Sequence, residues 1–282
     1  MIVNLAKSAG FCSGVKRAID IALKTADSGE KVYMLGDIVH NEDVVRDIQQ
    51  AGIKKINRLG NGKGKSLLIR AHGSSLRNLL KAIKAGYKIF DATCPMVKEI
   101  HRIAKEMESA GFRIIIIGDK DHDEVRGIAG QLKQKAIVID NIKNVPQESL
   151  KKIKKACVVV QSTQNIDKAL QILGRIKPFV KDLRFFNTIC RPTRLKQNEI
   201  KALPVKNNVV IVIGSRNSAN TKRLYEISKS LNKNTYRVNS KEEIRREWFR
   251  GAKKVGITAG ASTPDQTTQE IIKYIKQLGS KR

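Results

Sequence analysis

The chain has 282 residues, of which 55 are Lys or Arg and 26 are Asp or Glu, giving a formal net charge of +29. Its 41% hydrophobic content and only six prolines fit a chain that buries a core and exclude a disordered one. No apolar run reaches the ~20 residues that a membrane helix needs. The N-terminal stretch MIVNLAKSAGFC lacks the apolar core and cleavage site of a secretory signal, so a cytoplasmic location is expected. There, four cysteines suit a metal, a cluster or catalysis better than disulfides.

The charge has three readings: a lysine-rich solvated surface, a nucleic-acid interface, or attraction of a polyanionic substrate or acidic protein. Aromatic residues make up 5% of the chain. Neither an RNA-recognition aromatic motif nor zinc-finger spacing occurs, which weighs against specific nucleic-acid binding.

In chain order, MIVNL predicts a short strand that runs into GFCSGVKRAIDIAL. Val15, Ala18, Ile19, Ala22 and Leu23 there repeat at helical spacing. KVYMLGDIVHNEDVV predicts a strand, a polar junction and a helix. NRLGNGKGKS, residues 57–66, invites a phosphate-loop reading, but that spacing needs glycine where Leu59 stands, and a strand follows where a helix is required. It reads as an exposed turn. SLLIRAHGSSLRNLL, RIIIIGDKDHDEV, ACVVVQSTQNIDKAL, NVVIVIGSRNSANTKRL and KVGITAGASTPDQTTQ repeat the strand–junction–helix pattern. Alternation of this kind predicts α/β architecture with parallel sheets.

Ligands of such sheets bind at the carboxyl ends of the strands. The residues there are His40, His72, His122, Ser162, Thr163, Ser215, Asn217 and Ser262. The competing role for each Ser, Thr or Asn is to cap the helix that follows.

Cys12, Cys94 (before Pro95) and Cys190 (before Arg191-Pro192) each stand at a helix start. Unpaired amides and the helix dipole there favour thiolate. FDATCP and FNTICRP also read as a faint internal repeat. Cys157, inside ACVVVQST, reads as a buried apolar residue. Three thiolates without a close C-x-x-C pair suit zinc or an iron–sulfur cluster. A cubane needs one ligand per iron, so three cysteines leave one iron open to a substrate.

The motifs GFCSGVKRAI, VHNEDVV, AHGSS, FDATCP, HDEVRG, QST, GSRNSANTKRL and TAGASTPD occur in this order between residues 10 and 265. In them the sequence resembles the LytB-type iron–sulfur reductases, the 4-hydroxy-3-methylbut-2-enyl diphosphate reductase family of the non-mevalonate isoprenoid pathway. The resemblance implies three similar α/β lobes, each a mainly parallel sheet flanked by helices, around one [4Fe–4S] cluster. The lobes are expected at 13–94, 95–190 and 191–282, the last joined by segment 1–12. It places the cluster ligands on Cys12, Cys94 and Cys190. Diphosphate binding falls on His40, His72, His122, Ser215, Asn217 and Ser262, with Ser162 and Ser218 added from the same motifs. Glu124 is implied as the catalytic carboxylate, Thr163 as the threonine near the reacting end, and Thr193 as a further active-site residue.

The implied reaction removes the substrate's allylic hydroxyl with two electrons from a ferredoxin- or flavodoxin-like donor, giving isopentenyl and dimethylallyl diphosphate. A monomer is expected. His101, in the helix after Cys94, reads as a structural residue on a core face. Three positions depart from the family pattern: Lys196 stands where arginine is common, Arg191 follows Cys190, and Ser162 replaces a threonine. Two other classes compete, a nucleic-acid binder using the +29 charge and a non-redox cluster hydro-lyase.

Overall fold

The computed structural model describes residues 1–280. Strand β1 (Ile2–Leu5) leads to helix α1 (Ser13–Ala26), followed by β2 (Lys31–Leu35), α2 (Glu42–Gln50), β3 (Lys54–Ile56), β4 (Lys65–Ile69), α3 (Leu76–Lys84) and β5 (Lys88–Asp91). Next come α4 (Pro95–Ser109), β6 (Arg113–Ile117), α5 (Asp123–Ala129), β7 (Ile137–Ile139), α6 (Gln147–Lys151), β8 (Lys155–Val160), α7 (Ile166–Ile176) and β9 (Asp182–Phe186). The chain continues through α8 (Arg191–Lys206), β10 (Val209–Ile213), α9 (Ala219–Leu231), β11 (Thr235–Val238), β12 (Lys254–Ala259) and α10 (Asp265–Ser280).

The strands form three four-stranded sheets, ordered β3-β2-β4-β5, β7-β6-β8-β9 and β11-β10-β12-β1. Every pairing is parallel. Central strands such as RIIII and VVIVI are apolar almost throughout, as burial on both faces requires. Helices close each core: Ile172 and Ile176 of α7 pack with Val158 and Val160, while Ile271 and Ile275 of α10 pack with Ile257 and Val255. The turn before β4 is exposed except at Leu59, which packs half-buried against the Leu67–Tyr87 cluster, and at Gly62, where a Cβ would lie 2.2 Å from the Tyr87 ring.

The chain divides into two compact units. One comprises Met1–Lys16, His40–Val45 and the chain from Arg191 onward; the other comprises Arg17–Val39 and Arg46–Cys190. The first unit holds the β11-β10-β12-β1 sheet and the second holds the other two.

The three sheets share one plan. In each, the chain leaves the first central strand toward one edge and returns on the other side of it. The switch points therefore lie between β2 and β4, β6 and β8, and β10 and β12. Diverging loops at such a point open a crevice at the strand carboxyl ends. The fourth place in the three sheets is taken by β5, β9 and, from the far end of the sequence, β1. Cys94 follows β5, Cys190 follows β9 and Cys12 follows β1.

Candidate functional site

Around the β6/β8 switch point, His122 is the N-cap of α5, its Nδ1 accepting from Glu124 N at 3.1 Å. Glu124 is 2% exposed. Ser162 N donates to its Oε1 at 2.6 Å and Ser162 Oγ to its Oε2 at 2.7 Å. Burial raises the carboxyl above its ordinary range, outweighing the two Ser162 donors that favour the anion. A carboxyl so placed holds a proton more readily than one in water. Ser162 has a second connection, because Cys190 N donates to its carbonyl at 3.1 Å. One residue thus links the carboxyl to the cysteine loop after β9.

Thr163 is half-buried, and its Oγ1 accepts from Gln161 Nε2 at 3.0 Å. Gln161 is fully buried, and its Oε1 accepts from Asp119 N at 2.9 Å. This glutamine crosses the switch point and fixes Thr163. Sequence reasoning missed it, although it opens the quoted QST motif.

At the end of β4, the His72 ring meets that of His122 edge to face, with centroids 5.3 Å apart. Arg70 Nη1 bonds Asp123 Oδ2 at 2.7 Å, tying β4 to the start of α5. Cys94 N donates to Ala71 O at 3.0 Å, and Arg17 Nη1 to Thr93 O at 3.1 Å. Pro95 occupies the first turn of α4, where its missing N–H costs nothing. His101 lies further along α4, with Gly73 so close that a Cβ there would be 2.9 Å from its Cε1. Burial pushes this imidazole down to about 4, with Lys105 adding to the effect.

At the β10/β12 switch point, Ser215 is fully buried, and Ser262 and Ser218 nearly so. Ser215 Oγ donates to Glu42 Oε1 at 2.8 Å, and Asn217 Nδ2 to the same oxygen at 3.2 Å. A carboxylate thus already sits on two donors suited to an anion. Ser262 Oγ donates to His40 O at 3.1 Å. Ser218 is the N-cap of α9, its Oγ accepting from Thr221 N at 3.3 Å. Gly214 and Gly260 let α9 approach the strand ends, since a Cβ at Gly260 would lie 2.1 Å from Thr221 Oγ1.

Cys12 N donates to Ala261 O at 3.1 Å, and its Sγ accepts from Val15 N at 3.5 Å, in the first turn of α1. Thr193 is buried in α8. Lys196, in the same helix, is buried too. Its ammonium is pushed down to about 8 by burial, against the upward pull of Cys12, Glu199 and Asp265.

Cys12, Cys94 and Cys190 are thiols of intermediate burial at helix starts, outside any disulfide, and thiol sulfur is the soft donor that iron–sulfur clusters and zinc take. Cys157 is fully buried in β8, and burial pushes its thiol up to about 12. It has the opposite character, that of an inert core residue.

Sheets of this plan, with polar side chains at the switch points and a thiol after each fourth strand, define a three-sheet α/β protein with its candidate residues at the strand carboxyl ends. The chain belongs to the LytB protein family, whose model matches residues 3–276. It is 39% identical over 280 residues to the 4-hydroxy-3-methylbut-2-enyl diphosphate reductase of Aquifex aeolicus, covering 98% of this chain and 96% of that one. It is 38% identical to the enzyme of that name from Geobacter metallireducens, covering 99% of each. Among solved structures, one described as (E)-4-hydroxy-3-methyl-but-2-enyl diphosphate reductase, the terminal enzyme of the non-mevalonate pathway, matches with a TM-score of 0.72 at 39% identity, covering 98% of this chain and 100% of that one. The corresponding reductase from Plasmodium falciparum matches with a TM-score of 0.88 at 27% identity, covering 96% of this chain and 87% of that one.

Proposed function

We propose that this chain catalyses the reductive dehydroxylation of (E)-4-hydroxy-3-methylbut-2-enyl diphosphate to isopentenyl and dimethylallyl diphosphate, the activity for which its relatives are named. The observation that carries the reading is the shared plan of the three sheets, each with polar donors at its switch point and a half-buried thiol after its fourth strand. The thiols have the right donor chemistry for an iron–sulfur cluster on Cys12, Cys94 and Cys190. When bound, such a cluster supplies single electrons and a Lewis-acidic iron.

The protein's own groups then divide the remaining work. His40, His72 and His122, with Ser215, Asn217, Ser218 and Ser262, hold the diphosphate by hydrogen bonds, strengthened where an imidazole gains a proton beside the anion. Glu124 delivers a proton so that the hydroxyl leaves as water rather than hydroxide. Ser162 orients Glu124, and Gln161 orients Thr163. Thr193 takes the role of a further polar contact. The C–O bond breaks, and two electrons and two protons are consumed. One proton leaves in water and the other ends on either terminus of the allyl system, which gives the two products.

The electrons come from a small acidic carrier of ferredoxin or flavodoxin type. The +29 charge attracts such a partner and opposes self-association, so the chain acts as a monomer.

The test is anaerobic incubation of the iron-loaded chain with a strong chemical reductant and the hydroxylated diphosphate. Both isomeric products are expected. An iron-loaded chain that leaves the substrate unchanged contradicts the proposal.

A further inference from the structure

Lys196 is 2% exposed, so its ammonium has been taken out of water. The partners of its Nζ are main-chain carbonyls: Ser8 O, Gly10 O at 2.9 Å and Ala259 O at 3.2 Å. An ammonium has three donors and no acceptor, so three carbonyls satisfy it. One turn further along α8, Glu199 Oε2 accepts from Ser8 N at 2.9 Å and from Ser8 Oγ at 2.7 Å. The two α8 side chains therefore hold both the donors and the acceptors of one short loop. That loop ends at Cys12.

Its path is constrained elsewhere as well. Gly10 has φ +89°, and Asp265 Oδ1 lies 2.5 Å from where a Cβ would be, so no other residue fits there without a shift. An apolar side chain would fill the Lys196 site at a lower desolvation cost. What the ammonium adds is the placement of three carbonyls. The same device recurs at Cys94, where Arg17 of α1 donates to Thr93 O at 3.1 Å. In both cases a cation on the helix that follows one cysteine grips the loop that leads to another.

We propose that Lys196, together with Glu199, is a positioning residue for Cys12, holding the loop from Ser8 so that the thiolate is presented in a fixed place to the cluster. The inference rests on the reading that Cys12 is a cluster ligand. A guanidinium carries more donors in a planar fork, and can grip the same carbonyls.

The test measures iron release from the holoprotein to a chelator under anaerobic conditions, for the natural chain and for Lys196→Met, Lys196→Arg and Glu199→Ala. Groups that orient metal ligands typically affect metal affinity by about 10–100-fold, and iron release from Lys196→Met should quicken by that order. Lys196→Arg should restore slow release, which a simple packing role would not predict. Glu199 is only partly buried, so Glu199→Ala keeps the fold and still quickens release; it decides the matter if Lys196→Met does not fold. Release at the natural rate from both Glu199→Ala and a folded Lys196→Met overturns the clamp and leaves the cluster reading standing. A natural chain that takes up no iron overturns both.

Discussion

Glu124 is a buried carboxyl with both oxygens committed to Ser162, and that setting governs its chemistry. Replacement by Gln keeps the size but removes the proton, so turnover should fall by about 10²–10⁴-fold with little change in substrate binding, as single-turnover kinetics and a separate binding measurement would report. The same burial has a thermodynamic signature. Because the folded protein raises this carboxyl, the stability it contributes is full below the ordinary carboxylate range and is lost as pH rises through the folded value. The stability of the natural chain relative to Glu124→Gln should therefore fall between mildly acidic and alkaline pH in denaturant titrations.

Glu42 sits on the donors of Ser215 and Asn217, and a diphosphate that uses those donors must displace it. Glu42→Gln should lower KM for the diphosphate and leave kcat unchanged; an unaltered KM would show that the carboxylate does not compete. The sequence could not expose this pair, because Glu42 and Ser215 lie 173 positions apart. Ser162 was legible as a candidate at a strand end, and Lys196 only as a departure from a pattern. Their roles came from partners that no local motif encodes, a carboxyl 38 residues away and carbonyls up to 188 residues away.

At the scale of elements, α4 carries a titrating group in its core face. His101 is held near pKa 4 against an ordinary value of 6.5, so it stays neutral in the folded chain at mildly acidic pH. The stability linked to it is present above pH 6.5 and is lost as pH falls toward 4, by at most about 3 kcal/mol. Thermal unfolding of His101→Phe should lose less stability than the natural chain across that window; parallel losses would place the acid sensitivity elsewhere. Helices and central strands were readable from periodicity and β-branched runs, as VVIVI and the apolar stripe of α1 illustrate. The N-terminal strand was readable as a strand, but its pairing with β12, more than 250 positions away, leaves no mark on the periodicity of either segment. The helix-start positions of Cys12, Cys94 and Cys190 were readable from the sequence, and the burial of Cys157 from its apolar run, while the half-burial of the other three depends on packing that the sequence does not spell out. Accordingly, Cys157→Ala should keep full iron content, while Ser at Cys12, Cys94 or Cys190 should each deplete it in iron and sulfide analysis.

For the whole molecule, the excess of 55 basic over 26 acidic residues is the largest feature that the proposed chemistry does not itself require. If it steers an acidic electron carrier, turnover supported by that carrier should fall steeply with added salt, since exposed charges are screened beyond ~8 Å at physiological ionic strength. Turnover driven by a small chemical reductant should fall much less, and equal salt sensitivity would remove the steering role.

Electron counting separates a reductase from a hydro-lyase. With the iron-loaded chain under anaerobic conditions, reductant oxidised and hydroxylated diphosphate consumed are measured together. A reductase consumes two electrons per substrate converted, with isopentenyl and dimethylallyl diphosphate accounting for the product. Conversion with no electrons consumed would rule out the reductase and assign the chain to the non-redox hydro-lyases instead.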